Sequence, residues 1–153
     1  MSSRPAAHDD IQAIRQVLDD TDLFPVDMLD ELIAPFLEDP SNPVRWFVHE
    51  HANGEIIGFG FYRPEPLTEG TWNLIAIGVR EHAQGCGAGA AMMHYVEAAL
   101  RSERVLLVET SGLPQYARTR NFYLRCGYTH EATIRDYWAE GDDKIVFWKA
   151  LGA

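Results

Sequence analysis

Residues Leu74 to Ala90 read Leu-Ile-Ala-Ile-Gly-Val-Arg-Glu-His-Ala-Gln-Gly-Cys-Gly-Ala-Gly-Ala. An apolar run ending at Val79 predicts a strand, and the small residues of Gln84 to Gly89 lead into a helix over 87–101. The first backbone N–H groups of a helix lack intrahelical partners. Together they carry about half a positive charge. Gly85, Gly87 and Gly89 let a bulky anion approach the backbone and permit left-handed dihedrals. A strand, a glycine loop and a helix start in that order make a pyrophosphate cradle. Each N–H given to a charged oxygen contributes ~1.5–3 kcal/mol, so several could hold a diphosphate. The same small residues would also let a helix pack closely on a sheet. Gly85 to Ala90 further fits G-x-G-x-x-A with Glu109 at the end of the next strand, the pattern of a nicotinamide-dinucleotide site. Two features oppose that alternative. Arg80 to Gln84 separate strand from glycines, and only one more helix follows, where a doubly wound fold needs further strand–helix units.

Outward from this stretch, the periodicity predicts a mixed α/β chain. Asp9 to Leu18 is a helix with Ile11, Ile14, Val17 and Leu18 on one face and Asp9 and Asp10 as caps. Met28 to Leu37 is a second helical segment, interrupted at Pro35. Val44 to His51 and Glu55 to Tyr62 are strands joined by the hairpin signal Asn53-Gly54. In the helix after the loop, Ala88, Ala91, Met92, Tyr95 and Ala99 form a stripe at helical spacing. Val105 to Glu109 is a strand. A helix opening near Pro114 is closed by Gly127, and Tyr128 to Trp138 with Lys144 to Leu151 form a last hairpin. No linker or repeat divides the chain, so residues 1–153 are expected to be a single domain.

Length and charge narrow the function. A chain of 153 residues is one ordinary domain at ~150 residues each. Thirteen Lys and Arg against 23 Asp and Glu leave a net charge of −10. Such a chain repels a phosphate backbone, and no basic stripe offsets this, so no nucleic-acid partner is expected. No apolar run reaches ~18 residues and Met1 to Asp10 is polar, so neither a membrane span nor a secretory signal is expected. Cys86 and Cys126 form no CxxC pair or disulfide framework, which points to a reducing cytoplasm.

Val79-Arg-Glu-His-Ala-Gln-Gly-Cys-Gly-Ala-Gly89 resembles the Q/R-x-x-G-x-G/A acyl-CoA signature of the GNAT N-acetyltransferase superfamily. Phe122-Tyr-Leu-Arg-Cys-Gly-Tyr128 is similar to that family's F-Y-x-x-x-G-F/Y segment, one helix and one strand further on. The resemblance implies a mostly antiparallel central sheet flanked by helices and splayed beside Val79 to admit the cofactor arm. It implies acetyl-CoA as donor and direct acetyl transfer to an amine; from the residues themselves, no metal is expected. Backbone groups of Ile77, Gly78 and Val79 would pair with the pantetheine arm like an added strand, with Gly78 easing a bulge. The N–H groups of Gln84, Gly85, Cys86, Gly87, Ala88, Gly89 and Ala90 would take the pyrophosphate. Tyr123 matches the tyrosine that protonates the departing thiolate. Many members carry Asn seven residues before it as a contact to the arm; this chain has Tyr116 there. The resemblance also admits a homodimer through the final hairpin.

The chemistry asks for a neutral amine, a stabilised oxyanion and an acid for the thiolate. From the residues alone, Tyr123 also reads as a packing residue near a helix end. Glu109, ending the strand after the loop, is the general-base candidate, and reads equally as a solvated carboxylate. A catalytically silent acyl-CoA-binding module is the alternative on the same fold. His49 and His51 share a strand face but have no third ligand at a telling spacing. His82 and His94 read as surface residues. Trp46, Trp72, Trp138 and Trp148 are read mainly as core or subunit-contact residues. The acceptor amine is not legible.

Overall fold

The computed structural model describes residues 1–152. Its strands are β1 (Ser2–Pro5), β2 (Arg45–Glu50), β3 (Ile56–Pro64), β4 (Thr71–Val79), β5 (Val105–Ser111), β6 (Thr129–Ala139) and β7 (Asp142–Ala150). The helices are α1 (Ile11–Asp20), α2 (Leu29–Glu38), α3 (Ala88–Ala99) and α4 (Ala117–Arg125). The strands form one sheet in the order β1-β2-β3-β4-β5-β7-β6. The pairs β1–β2, β2–β3, β5–β7 and β6–β7 are antiparallel, and β4–β5 is parallel. The expected mixed α/β class with a mostly antiparallel sheet is therefore observed. A doubly wound dinucleotide fold is not, because that fold needs a mostly parallel sheet.

By compactness the chain divides into two units. Met1–Arg63 and Ile75–Ala98 form the first, and Pro64–Leu74 with the chain from Ala99 onward forms the second. In the first unit, α1 and α2 bury Ile14, Val17, Leu18, Leu29 and Ile33 against Trp46, Val48, Phe59 and Phe61 of β2 and β3. The Trp46 and Phe61 rings stack with centroids 4.2 Å apart. Gly58 and Gly60 are required in β3 by close approach. A Cβ on Gly58 would stand 2.9 Å from Met92 Sδ of α3, and one on Gly60 would stand 2.7 Å from Phe47 Cζ. The Asn53-Gly54 turn forms as expected: Gly54 has φ +87°, and the Asn53 side chain accepts the Glu55 N–H at 2.9 Å.

In the second unit, the parallel ladder pairs Thr71–Leu74 with Val105–Val108, and β7 covers the other edge of β5 over its whole length. α4 ends in a Schellman motif, with Gly127 at φ +90°. The Tyr128 N–H donates to Tyr123 O, and the Gly127 N–H to Leu124 O.

Several local expectations are corrected. β1, in the polar segment before α1, was not expected; its backbone is ordered by pairing with β2, which alternation within four residues does not reveal. Pro35 sits inside α2 without ending it. Asp10 does not cap α1 but turns back, accepting the Ala7 N–H at 2.8 Å and pairing with Arg4. In α3 the buried residues are Ala88, Met92, Met93 and Val96, and Ala99 is exposed. Trp46 is a core residue, whereas Trp138 and Trp148 are exposed.

Candidate functional site

In the first unit, β4 carries Ile77, Gly78 and Val79 to the start of the glycine loop. Gly78 permits close packing. A Cβ there would stand 2.8 Å from Leu23 Cδ1 and 3.4 Å from Val17 Cγ1, so the turn after α1 lies directly on the strand. The start of the loop is anchored to α1. Arg80 Nε donates to Asp20 Oδ2 at 2.7 Å, its Nη1 to Gln16 Oε1 at 3.1 Å, and the Glu81 N–H also reaches Asp20 Oδ2. The guanidinium of Arg80, with the Glu81 N–H adding to it, lowers the pKa of Asp20. A single 3-10 turn over Glu81–Ala83 then folds the chain back. Gln84 closes it by donating from Nε2 to Val79 O at 3.2 Å.

Gly85 and Gly87 follow with φ +82° and +88°. A Cβ built on either would meet nothing within 4 Å, so open space lies beside the backbone. Left-handed dihedrals, not crowding, require glycine at these two positions. Cys86 donates its thiol to Ala83 O at 2.7 Å. The first helical hydrogen bond of α3 runs from Ala91 N to Gly87 O. Among the described residues, the N–H groups of Gly85, Gly87, Ala88, Gly89 and Ala90 donate to no backbone carbonyl or side chain, whereas that of Cys86 closes the turn over Gln84 and Gly85. Consecutive unused donors beside open space at a helix start are what a polyanion needs.

The second unit holds Tyr123 and Glu109. Tyr123 is buried at 4% exposure. Its ring lies 5.4 Å from those of Phe122 and Phe147, and edge-on to Tyr128 at 6.2 Å. Burial, with a smaller contribution from Cys126, raises the phenol pKa well above its usual value, so it stays protonated and can donate a hydrogen bond. Arg120 ties α4 to the segment after β5, giving Nη1 to Ser111 O and Leu113 O, each at 2.8 Å. Tyr116 is half-buried at the entrance to α4.

Glu109 sits on β5 and is not a free carboxylate. Lys144 Nζ on β7 lies 3.0 Å from its Oε2, and the same ammonium stands 3.9 Å over the Tyr137 ring. Lys144 was not singled out from the sequence. It lies 35 positions from Glu109 (144 − 109), and only the β5–β7 register brings the two together. Arg80 and Asp20 escaped for the same reason, at a separation of 60 residues.

His49 is buried with Nδ1 2.8 Å from Ser3 Oγ, and His51 is exposed beyond β2. Among the described residues, no group of three or more His, Cys, Asp or Glu could hold a metal ion. No described helix is long and apolar enough to cross a membrane.

Residues 11–128 match the model of the acetyltransferase (GNAT) family. The chain belongs to the GNAT acetyltransferase family. It is therefore an acyltransferase. No curated protein sequence matches it. Among solved structures, it is 31% identical to a protein of Desulfovibrio desulfuricans assigned to the GNAT acetyltransferases, with a TM-score of 0.87 over 97% of this chain and 98% of that one. The ribosomal-protein-S18-alanine N-acetyltransferase of Escherichia coli is 16% identical, with a TM-score of 0.80 over 99% of this chain and 94% of that one. A spermidine N-acetyltransferase variant from Vibrio cholerae is 15% identical, with a TM-score of 0.80 over 97% and 92%. At those two identities the likeness is one of fold.

Proposed function

We propose that this GNAT protein is an N-acetyltransferase that moves an acetyl group from acetyl-CoA directly to an amine. The observation that carries the reading is the set of five unused N–H donors between Gly85 and Ala90. Those groups take the pyrophosphate of acetyl-CoA, and the Gln84 side chain holds the loop in shape from Val79 O. Backbone groups of Ile77 to Val79 bind the pantetheine arm as an added strand would.

In the transfer, the amine nitrogen bonds to the thioester carbonyl carbon, the carbon–sulfur bond breaks, and the thiolate takes up one proton. Tyr123 is the donor toward sulfur. Its raised pKa makes it a hydrogen-bond donor first; the proton moves only as charge accumulates on sulfur. The proton lost by nitrogen goes to water or to Glu109. Because Lys144 already neutralises Glu109, an incoming ammonium must compete for that carboxylate, which makes Glu109 the lesser contributor. The acceptor is a small-molecule or peptide amine; proteins of this fold are named for acceptors as different as an S18 alanine and spermidine. A cytoplasmic setting suits two cysteines, Cys86 and Cys126, that form no disulfide. The chain acts as a single acetyltransferase domain.

Calorimetric titration with acetyl-CoA, CoA and NADH in parallel tests the cradle, and a thiol-release assay over an amine panel tests transfer. Binding of the CoA species with amine-dependent thiol release is expected. Binding without release on any amine would make the chain a silent acyl-CoA-binding module. No binding of either CoA species would overturn the reading.

A further inference from the structure

At the end of β3 away from the glycine loop, the first unit holds a cleft of about 520 Å³, within the size range of small-molecule sites. The loop is tied to β3 by the Arg80 N–H on Ile57 O. Tyr62, which lines the cleft, stands five residues further along the strand (62 − 57), about 16 Å away at the rise of a β-strand. Beside it on the wall are Phe36 and Leu37 of α2, Arg45 and Trp46 of β2, and Tyr95 of α3.

The side-chain polar groups on this wall are donors. Arg45 and Tyr62 stand opposite each other in the β2–β3 register. The rings of Tyr62 and Tyr95 both pack on Phe47, with centroids 6.0 and 5.2 Å from it. Burial pushes the Tyr62 phenol up to about 12, with Tyr95 adding to the rise and the Arg45 guanidinium opposing it. Burial raises the Tyr95 phenol as well. Both phenols therefore keep their protons at neutral pH. Among the described residues, Arg45 pairs with no carboxylate, and none lines the cleft. In a chain of net charge −10 that is a local reversal of sign. Trp46 is 1% exposed, and its indole N–H meets no acceptor in the protein. Buried donors are ordinarily paired, so this one adds to the excess of donors around the cleft.

A guanidinium and phenols set among apolar walls select the ligand. An ammonium would meet Arg45 as a like charge. A neutral apolar molecule would leave the donors unpaired. A phosphate dianion would bring two charges to one guanidinium, and a single cation does not offset that desolvation. A carboxylate takes two guanidinium N–H groups side by side.

We propose that this cleft binds a small monocarboxylate with an apolar body, its carboxylate on Arg45 and Tyr95 and its body against Phe36 and Leu37. The site is separate from the glycine loop, and the inference stands whether or not that loop binds acetyl-CoA.

Calorimetric titration of the full chain with phenylacetate and 4-methylpentanoate tests it, with phenylacetamide and 2-phenylethylamine as the neutral and cationic counterparts. At least one acid should bind, and the amide and amine should bind about tenfold or more weakly than it. Arg45→Met should weaken the acid by a similar factor, while Arg45→Lys should keep part of the affinity, having the charge without the fork. Tyr95→Phe keeps the ring on Phe47 and should cost less than Arg45→Met. Saturating acetyl-CoA should leave acid binding unchanged. Binding of neither acid up to about 10 mM overturns the proposal. So does an amide that binds as well as its acid, or an Arg45→Met variant with a wild-type circular dichroism spectrum and unchanged affinity. Displacement of the acid by acetyl-CoA would place it at the transfer site and overturn a separate cleft. If Arg45→Met does not fold, an unchanged affinity in both Arg45→Lys and Tyr95→Phe overturns it instead.

Discussion

Lys144 on β7 closes on Glu109 of β5, with Nζ 3.0 Å from Oε2, while the same ammonium rests 3.9 Å over the ring of Tyr137 on β6. Three strands of the second unit are thereby joined through one side chain that is 8% exposed. A buried lysine needs a compensating charge, and here it has a carboxylate on one side and an aromatic face on the other.

Lys144→Met therefore leaves a half-buried carboxylate without its cation and should destabilise the protein by about 1–3 kcal/mol. Adding Glu109→Gln should recover part of that loss, because both charges are then gone. Urea unfolding of the two single variants and the double variant checks this; strict additivity would mean that the pair is not coupled.

Gly87→Val should weaken acetyl-CoA binding strongly by calorimetry. A β-branched residue resists φ +88° and fills the open space beside the unused donors. Gly54→Ala is the control, since Gly54 has φ +87° and an equally open surrounding, in a hairpin turn. Both should lose ~1–2 kcal/mol of stability from the left-handed backbone. Only the first should lose affinity.

Tyr123→Phe keeps the ring against Phe147 and Tyr128 and removes the hydroxyl. Turnover should fall while acetyl-CoA affinity stays near wild type. Burial raises the phenol pKa, so the wild-type rate should show no alkaline limb near pH 10 assignable to this tyrosine. A limb there that vanishes in the phenylalanine variant would contradict the buried-donor role.

Acid stability should depend on Asp10. Its carboxyl pKa is lowered below 3.8, chiefly by the hydrogen bonds from Arg4, with the Ala7 N–H adding to them. A depressed folded value means the unfolded chain binds the proton more readily. The stabilisation is thus fully present above 3.8 and is lost as pH falls through the folded value. Arg4→Met should flatten the decline in urea midpoint below that pH and lower the plateau above it.

The parts legible in the sequence are those decided by near neighbours. The turn at Gly54, the left-handed glycines at 85 and 87, the unused N–H groups before α3 and the helix stop at Gly127 follow from dihedral sterics and hydrogen bonds spanning a few residues. These place the glycine loop after β4 and Tyr123 in the last turns of α4 without knowledge of any distant contact. Tertiary structure alone decided what depends on register between remote strands or on packing between elements. It paired Glu109 with Lys144, tied Arg80 to Asp20, drew Ser2–Pro5 onto β2, and left Trp138 outside the core. A strand pattern specifies which side chains share a face, not which strand lies alongside or whether anything covers that face. Those outcomes are set by the energy of the whole sheet.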